Sequence, residues 1–291
     1  MTQYDAVIIG AGLGGLTTGA VLAKRGKKVL VLEQSGQIGG CCSTYEVGKY
    51  KYDIGASVVE MLPIIDGVFA ELGTNFEKEV DLIQCDPIYS VIFPDNSRLT
   101  IPMSVEGAAD EIGKISPEDR KGFLEYAKTF EAFIEGNGLD FFTMPMNTLG
   151  DFMGAFKKIP VLAKFNKYFF MTYGDVLNKF FKSPKIKQSM AYQSFYSGHS
   201  PEQAVGIFAI IPYMEHKGIY YPRGGMIKIP QAIQRLGEKS GLEVRVNAEV
   251  VKVIVDDSRR AKGVVLKNGE KIEAKVVVSN INARKLYIDL V

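Results

Sequence analysis

The residues whose spacing points most clearly to chemistry are three glycines near the start of the chain. Gly10, Gly12 and Gly15 match the pattern G-x-G-x-x-G. In this pattern the first glycine allows a tight turn, the second lets the backbone approach a pyrophosphate, and the third lets a helix pack closely on a strand. The predicted chemistry is binding of a dinucleotide diphosphate at a helix N-terminus, where free N–H groups and the helix dipole favour negative charge.

The elements that must position these glycines can be predicted from the flanking residues. Residues 4–9 form a β-rich run, residues 16–25 are compatible with a helix, and residues 29–32 are again apolar and β-branched. Glu33 follows, where a carboxylate accepts hydrogen bonds from both ribose hydroxyls and repels a 2′-phosphate. A glycine-rich loop that binds no phosphate is the alternative, and the agreement of strand, helix and acidic residue argues against it.

A second glycine pair, Gly39-Gly40, separates this unit from an NAD-binding domain. The residues after it alternate over 43–47, turn at Gly48-Lys49 and return over 50–54. This pattern predicts a β-hairpin in the position where an NAD domain would have its next strand and helix. The pair and the hairpin therefore favour FAD.

At this point the chain resembles the FAD-dependent family that contains phytoene desaturases, carotenoid isomerases and retinol saturases. The resemblance rests on four blocks in the family's order: GAGLGGLTTGAVLAKRGKKVLVLEQSGQIGG, YEVGKYKYDIGASVV, YYPRGGMIKIPQAI and LEVRVNAEVVKVIVDDSRRAKGVVLKNGEKIEAKVVVSN. Many phytoene desaturases have Arg after the glycine pair, where this sequence has Cys41. A small residue there is more similar to the isomerase and saturase branch, so the substrate within the family stays open.

The resemblance implies FAD as the cofactor and assigns its contacts. Glu33 would bind the adenosine ribose, Cys41 would lie at the edge of the diphosphate beside Gly40, and Val250 would meet the adenine through its backbone. The segment 55–57 would lie along the flavin. The predicted cofactor-binding residues are Gly10, Ala11, Gly12, Leu13, Gly14, Gly15, Glu33, Gly39, Gly40, Cys41, Ser57 and Val250. For Val250, an ordinary strand residue is the alternative.

The predicted fold class is α/β: a Rossmann-like FAD-binding domain, a parallel sheet with a β-meander, and an inserted α+β substrate domain. The predicted domains are the first part of the FAD-binding domain at 1–60, the inserted substrate domain at 61–219, and the second part of the FAD-binding domain at 220–291. The boundaries follow a change to more Phe, Tyr, Met and Lys in the middle of the chain. Asn268-Gly269 predicts a hairpin turn, and residues 281–291 are expected to form a last helix.

Composition excludes several classes of protein. Lys and Arg total 35 against 33 Asp and Glu, so no overall field argues for nucleic acid. No apolar run reaches the roughly 18 residues of a membrane-spanning helix. The N-terminus lacks the pattern of a secretory signal, and Cys41, Cys42 and Cys85 have no metal-ligand spacing. We therefore expect a cytoplasmic protein without a structural metal.

The stretch 152–181 interleaves phenylalanines with lysines at helical spacing. Such a pattern fits a helix lying on the cytoplasmic face of a membrane, the lining of a long apolar tunnel, or core helices with solvated lysines. These three readings stay open from the sequence.

The leading functional hypothesis is an FAD-dependent oxidoreductase that transfers hydride between the flavin and carbon–carbon bonds of a lipophilic polyene or isoprenoid. Such chemistry needs little from side chains; we predict no acid–base triad and interpret His199 and His216 as hydrogen-bonding residues of loops. The alternatives are a flavin amine oxidase and a prenyl-binding carrier of the GDP-dissociation-inhibitor type.

Members of the resembled family continue well beyond the last predicted strand. We therefore expect the chain to be a fragment, one half of a protein completed by a second polypeptide, or a reduced protein with another use.

Overall fold

Two compact units make up the structure, a computed structural model that describes residues 3–291. The first comprises residues up to Ile83 together with Tyr220–Val291, and the second comprises Gln84–Ile219. Residues 61–83, which the composition groups with the middle of the chain, thus belong to the first unit, whose later segment begins at Tyr220.

The strands of the first unit are β1 (Tyr4–Ile9), β2 (Val29–Leu32), β3 (Thr44–Val47), β4 (Tyr50–Asp53), β5 (Leu82–Gln84, ending in the second unit), β8 (Tyr220–Pro222), β9 (Glu243–Arg245), β10 (Val250–Val255), β11 (Ala261–Leu266) and β12 (Lys271–Ser279). Six of them form one sheet in the order β10-β11-β12-β1-β2-β9. The pairs β12–β1, β1–β2 and β2–β9 are parallel, whereas β10, β11 and β12 form an antiparallel meander. The predicted fold class is confirmed by this sheet.

The helices of the first unit pack around this sheet. They are α1 (Leu13–Lys24), α2 (Leu62–Glu71), α3 (Phe76–Glu79), α11 (Lys228–Glu238) and α12 (Ala283–Lys285). Strands β1 and β2 are almost wholly buried, as expected for parallel strands covered on both faces. In place of the single predicted helix over 281–291, α12 is followed by a π-helical turn, Leu286–Leu290, which packs Leu290 into the core beside the meander.

Strand β12 explains how the meander joins the parallel sheet. Its first residues pair antiparallel with β11, and Ala274–Ser279 then pair parallel with β1. One strand thus carries the chain from the meander to the centre of the sheet, and its carboxyl end lies beside that of β1.

The second unit contains a hairpin and a set of helices. Its strands are β6 (Tyr89–Ile92) and β7 (Arg98–Ile101), which pair antiparallel. Its helices are α4 (Val105–Ile115), α5 (Pro117–Glu135), α6 (Leu149–Lys158), α7 (Val161–Phe165), α8 (Tyr173–Phe180), α9 (Pro184–Ala191) and α10 (Ile211–Glu215). Helix α5 begins at Pro117, a residue that suits the first helical position because its missing N–H is not needed there. The buried Asp119 in its first turn accepts hydrogen bonds from the N–H groups of Lys182 and Ser183 at 2.6 and 2.8 Å.

Candidate functional site

The glycine turn between β1 and α1 leaves the N-terminus of the helix open to an anion. Gly10 has a φ of +97°, and a Cβ on Gly15 would lie 2.0 Å from the carbonyl oxygen of Gly10. Gly12 is the N-cap; no side chain caps the helix, and its first turn holds no acidic residue. The first N–H groups of α1 are therefore available to a diphosphate.

The second glycine pair lies against this turn. The N–H of Gly39 donates a hydrogen bond of 2.8 Å to the carbonyl oxygen of Ala11. A Cβ on Gly40 would lie 3.2 Å from the Cα of Gly12, and both Gly39 and Gly40 have positive φ. Two glycine segments thus form one backbone surface with almost no side chains, as close contact with a diphosphate requires.

Glu33 lies at the end of β2 in a cavity of about 230 Å³ at the carboxyl ends of the parallel strands. One carboxylate oxygen accepts the N–H of Ala11 at 2.9 Å, and the other accepts the N–H and Oγ of Ser35 at 2.9 and 3.0 Å. These bonds fix the carboxylate. The other lining residues are Ile9, Gly10, Leu32, Gln34, Ala248, Val250, Ile281, Asn282, Lys285 and Leu290.

The same cavity brings Glu33 and Val250 together, although β2 and β10 are far apart in the sequence. An acidic group for ribose hydroxyls and an apolar wall from β10 suit an adenosine. The residues present therefore fit FAD, although the contact of each residue with the cofactor stays a prediction.

Asp53 joins two of the blocks that carry the family resemblance. Its carboxylate accepts hydrogen bonds from the hydroxyl of Tyr221 at 2.7 Å and from the N–H of Met226 at 2.9 Å. The bond to this carboxylate raises the pKa of Tyr221 to about 12. Val59 forms a further bridge to Tyr220. The hairpin after the glycine pair is thereby fastened to the start of α11.

Not every predicted residue lies at the nucleotide cavity. Cys41 is exposed, and its carbonyl oxygen accepts the N–H of Ala56 at 3.0 Å. Ser57 is exposed at the end of the same segment. Leu13 lines a separate apolar groove, to which Gly14 also contributes. Cys41 therefore lies beside 55–56. Ser57 and Leu13 are not among the residues that line the cavity with Glu33.

Asn280 is the site residue that the sequence interpretation missed. Its N–H continues the pairing of β12 by donating to the carbonyl oxygen of Ile9 at 2.9 Å. Its side-chain amide lies over the glycine turn, with Nδ2 and Oδ1 at 3.1 and 2.6 Å from the positions that a Cβ would take on Gly12 and Gly14. The available signal was that a polar residue directly follows the last strand predicted for the parallel sheet.

An apolar groove of about 610 Å³ runs beside the glycine turn within the first unit. Its walls come from α1, α2 and α11 and from the segment 56–60, and Glu60 is its one acidic residue. Burial raises the pKa of Glu60 to about 7. The backbone of the next residue, Met61, is left-handed with a φ of 55°, an uncommon conformation for a residue with a side chain. This carboxyl is therefore held in an apolar setting by a strained turn.

The remaining polar candidates have structural partners. His199 Nδ1 lies 2.7 Å from the carbonyl oxygen of Ser197, and His216 Nδ1 lies 2.8 Å from that of Met103. Burial lowers the pKa of His216. Arg223 pairs with Asp81 at 2.8 Å. These contacts agree with the interpretation of the histidines as hydrogen-bonding residues.

The chain belongs to the flavin-containing amine oxidoreductase family, whose model matches residues 13–291. It is 32% identical over 281 residues to a phytoene desaturase of Cercospora nicotianae, covering 94% of this chain and 44% of the relative. It is 30% identical over 287 residues to the zeta-carotene-forming phytoene desaturase of Myxococcus xanthus, covering 97% of this chain and 54% of the relative. The predicted family and FAD as its cofactor are confirmed.

Two further findings set the scope of these similarities. The chain spans about half the length of the curated relatives it matches. Among solved structures, Rab GDI of Plasmodium falciparum aligns with a TM-score of 0.59 at 13% identity, over 99% of this chain and 67% of that one. At this identity the alignment shows a shared fold only.

Replacing Gly12 by Val is expected to abolish FAD binding while the chain stays folded. Among residues 3–291, the atom found within 4 Å of the new Cβ is Nδ2 of Asn280 at 3.1 Å, which lies at the end of a side chain that can move aside. The valine side chain would instead occupy the approach of the diphosphate. FAD titration followed by flavin fluorescence measures the loss, and circular dichroism reports the fold. Gly67→Val is the matched control, because no atom lies near a Cβ at Gly67. An unchanged FAD titration for Gly12→Val would refute the placement.

Replacing Asn280 by Ala is expected to weaken FAD binding about ten-fold, the loss of about one hydrogen bond to a charged group. Asn280→Asp has nearly the same shape but brings a negative charge to the diphosphate, so its affinity should be lower still. Calorimetric titration with FAD ranks the variants. Equal affinity of Asn280→Asp and the native chain would contradict a role for Asn280 at the diphosphate.

Replacing Glu60 by Gln is expected to stabilise the protein more at pH 8 than at pH 5. The pKa of Glu60 in the folded state, about 7, lies above its ordinary value of 4.5. Between these two pH values the folded state binds more protons than the unfolded state, so the stability of the native chain falls as the pH rises from 4.5 to 7. At about 1.4 kcal/mol per pKa unit, the effect at pH 8 is at most about 3 kcal/mol. Thermal melts at both pH values measure it, and an equal effect at pH 5 and pH 8 would contradict the burial of this carboxyl.

Proposed function

We propose that this chain is the nucleotide-binding half of an FAD-dependent oxidoreductase that acts on carbon–carbon bonds of a polyene or other isoprenoid. The observation that carries the proposal is the nucleotide site itself. A glycine surface for the diphosphate adjoins a fixed carboxylate for the ribose, in a chain whose curated relatives are named phytoene desaturases.

The chain's own residues hold and orient the cofactor in this proposal. The N-terminus of α1 binds the diphosphate, Glu33 binds the ribose, and Val250 contacts the adenine. Asp53 keeps the segment 55–57 beside the start of α11, so that the segment can lie along the flavin. Bound FAD supplies hydride transfer, for which a hydrocarbon substrate needs orientation and exclusion of water more than acid–base groups.

The glycine surface also weighs against a carrier of the GDP-dissociation-inhibitor type. Such a protein shares the fold, but a prenyl group does not need glycines at a helix N-terminus or a carboxylate at the end of β2. An amine oxidase remains compatible with the fold and with the family model. The names of the curated relatives favour the polyene substrate over an amine.

We further propose a second polypeptide and a membrane as partners. The relatives are about twice as long as this chain, so the remaining half of the enzyme would come from further residues of the same protein or from a second polypeptide. The apolar groove beside α1 is a suitable seat for it. Because a lipophilic substrate dissolves in membranes, we place the enzyme peripherally on the cytoplasmic face of the membrane. No helix among residues 3–291 is long and apolar enough to cross a bilayer.

The proposal is tested by purifying the chain, adding FAD and recording the flavin spectrum. The expected result is a yellow protein with one FAD per chain. For turnover, the chain is co-expressed with the C-terminal half of the Myxococcus xanthus relative and offered phytoene and a panel of amines. Formation of new conjugated double bonds supports the proposal. Amine oxidation supports the amine-oxidase alternative. Failure to take up FAD would exclude both the polyene oxidoreductase and the amine oxidase.

A further inference from the structure

Helix α6 of the second unit carries large apolar side chains that its neighbours cover only in part. Leu149, Phe152, Met153 and Phe156 follow the spacing of one helical face. Leu149 is 78% exposed and Met153 is 58% exposed, whereas Ala155 is buried. A helix of a folded domain normally turns its apolar face to the core. In α6 the small Ala155 is buried, Phe152 and Phe156 are half-buried, and Leu149 and Met153 are exposed.

Neighbouring aromatic rings extend this face into a continuous surface. The ring centroid of Phe169 lies 6.2 Å from that of Phe152, 6.0 Å from that of Phe156 and 5.2 Å from that of Phe141. Phe170, the next residue, is 84% exposed. Exposed apolar groups thus continue from the start of α6 to the turn before α8.

Lysines surround these apolar groups, and Asp151 of α6 lies close enough to Lys158 for an electrostatic interaction. Lys157 and Lys158 end α6, and Lys164 follows in α7. Among residues 3–291, no salt bridge joins these three lysines, Lys167 or Lys179 to an acidic group. The positive charges of this region are therefore free to meet an external anion.

Two of these lysines crowd each other. The ammonium groups of Lys167 and Lys179 lie 5.2 and 5.5 Å from the centre of the Tyr168 ring. Proximity to Lys179 lowers the pKa of Lys167. Like charges repel at this range, and an anion between or beside them would relieve the repulsion.

We propose that this aromatic–lysine surface, formed by 141–142, α6 and 164–170 with Lys179, binds the interface of an anionic phospholipid membrane. The apolar side chains would enter the boundary between head groups and acyl chains, and the lysines would meet the phosphates. The proposal rests on the membrane association proposed above and names its surface and lipid chemistry. A protein partner would need both an apolar patch and carboxylates in matching positions, whereas an anionic bilayer supplies both features over a broad surface.

The test is sedimentation of the purified chain with vesicles of phosphatidylcholine alone and of phosphatidylcholine mixed with phosphatidylglycerol. The native chain should bind the anionic vesicles, and less strongly as salt is raised. Leu149→Glu should lower binding by about ten-fold or more, because it removes a large apolar group and adds a repelled charge. Lys157→Gln/Lys158→Gln should lower binding to anionic vesicles by about ten-fold or more.

Matched controls carry the same chemical changes elsewhere. Ile92→Glu changes an apolar residue that is 65% exposed on β6, and Lys252→Gln/Lys271→Gln removes two exposed charges from the first unit. Both controls should bind vesicles like the native chain. If Leu149→Glu loses no more binding than Ile92→Glu, the assigned surface is wrong. If the native chain binds no vesicles, membrane association itself is wrong.

Two further measurements separate other outcomes. Gel filtration shows whether the native chain is a dimer that Leu149→Glu converts into a monomer. If it does, and the native chain binds no vesicles, the surface is a contact between two copies of the chain and the proposal is wrong. FAD titration of the same variants should be unchanged. Loss of vesicle binding with FAD binding retained supports the membrane surface, whereas failure of FAD binding in the native chain would remove the enzyme proposal alone.

Discussion

The close approach of backbone to backbone at the glycine turn is the constraint on which the nucleotide site depends. A Cβ at Gly15 would collide with the carbonyl oxygen of Gly10, and one at Gly40 would press on Gly12. Because these positions lack side chains, α1 starts directly behind β1 and the second glycine segment lies on the turn. The helix N-terminus has no side-chain cap, so an anion there would gain both hydrogen bonds and the helix dipole.

Local sequence was sufficient to predict this turn and its flanking elements. Glycines with positive φ, a β-branched strand before them and a carboxylate at the end of β2 are all short-range features. The hairpin of β3 and β4 and the turn at Asn268-Gly269 were predicted for the same reason. Residues that act through neighbours in the sequence are accessible to this kind of reasoning.

The features that the sequence interpretation missed depend on contacts between residues far apart in the chain. Asn280 reaches the glycine turn only because β12 leaves the meander and pairs parallel with β1. The buried setting of Glu60 depends on the apolar groove that α1, α2 and α11 share. The first domain boundary was placed too early because residues 61–83 resemble the middle of the chain in composition, whereas Phe69, Leu72 and Phe76 pack into the core of the first unit.

The site accounts for the adenosine diphosphate part of FAD more completely than for the flavin. In the proposed binding mode, the glycine surface, Glu33 and the small cavity beside Val250 would all face that part of the cofactor. Calorimetric titration of the purified chain with FAD, ADP and FMN tests this division most directly. The account predicts that FAD and ADP bind with similar affinity and that FMN, which lacks the adenosine, does not bind. Binding of FMN as tightly as FAD, or of FAD without any binding of ADP, would contradict it.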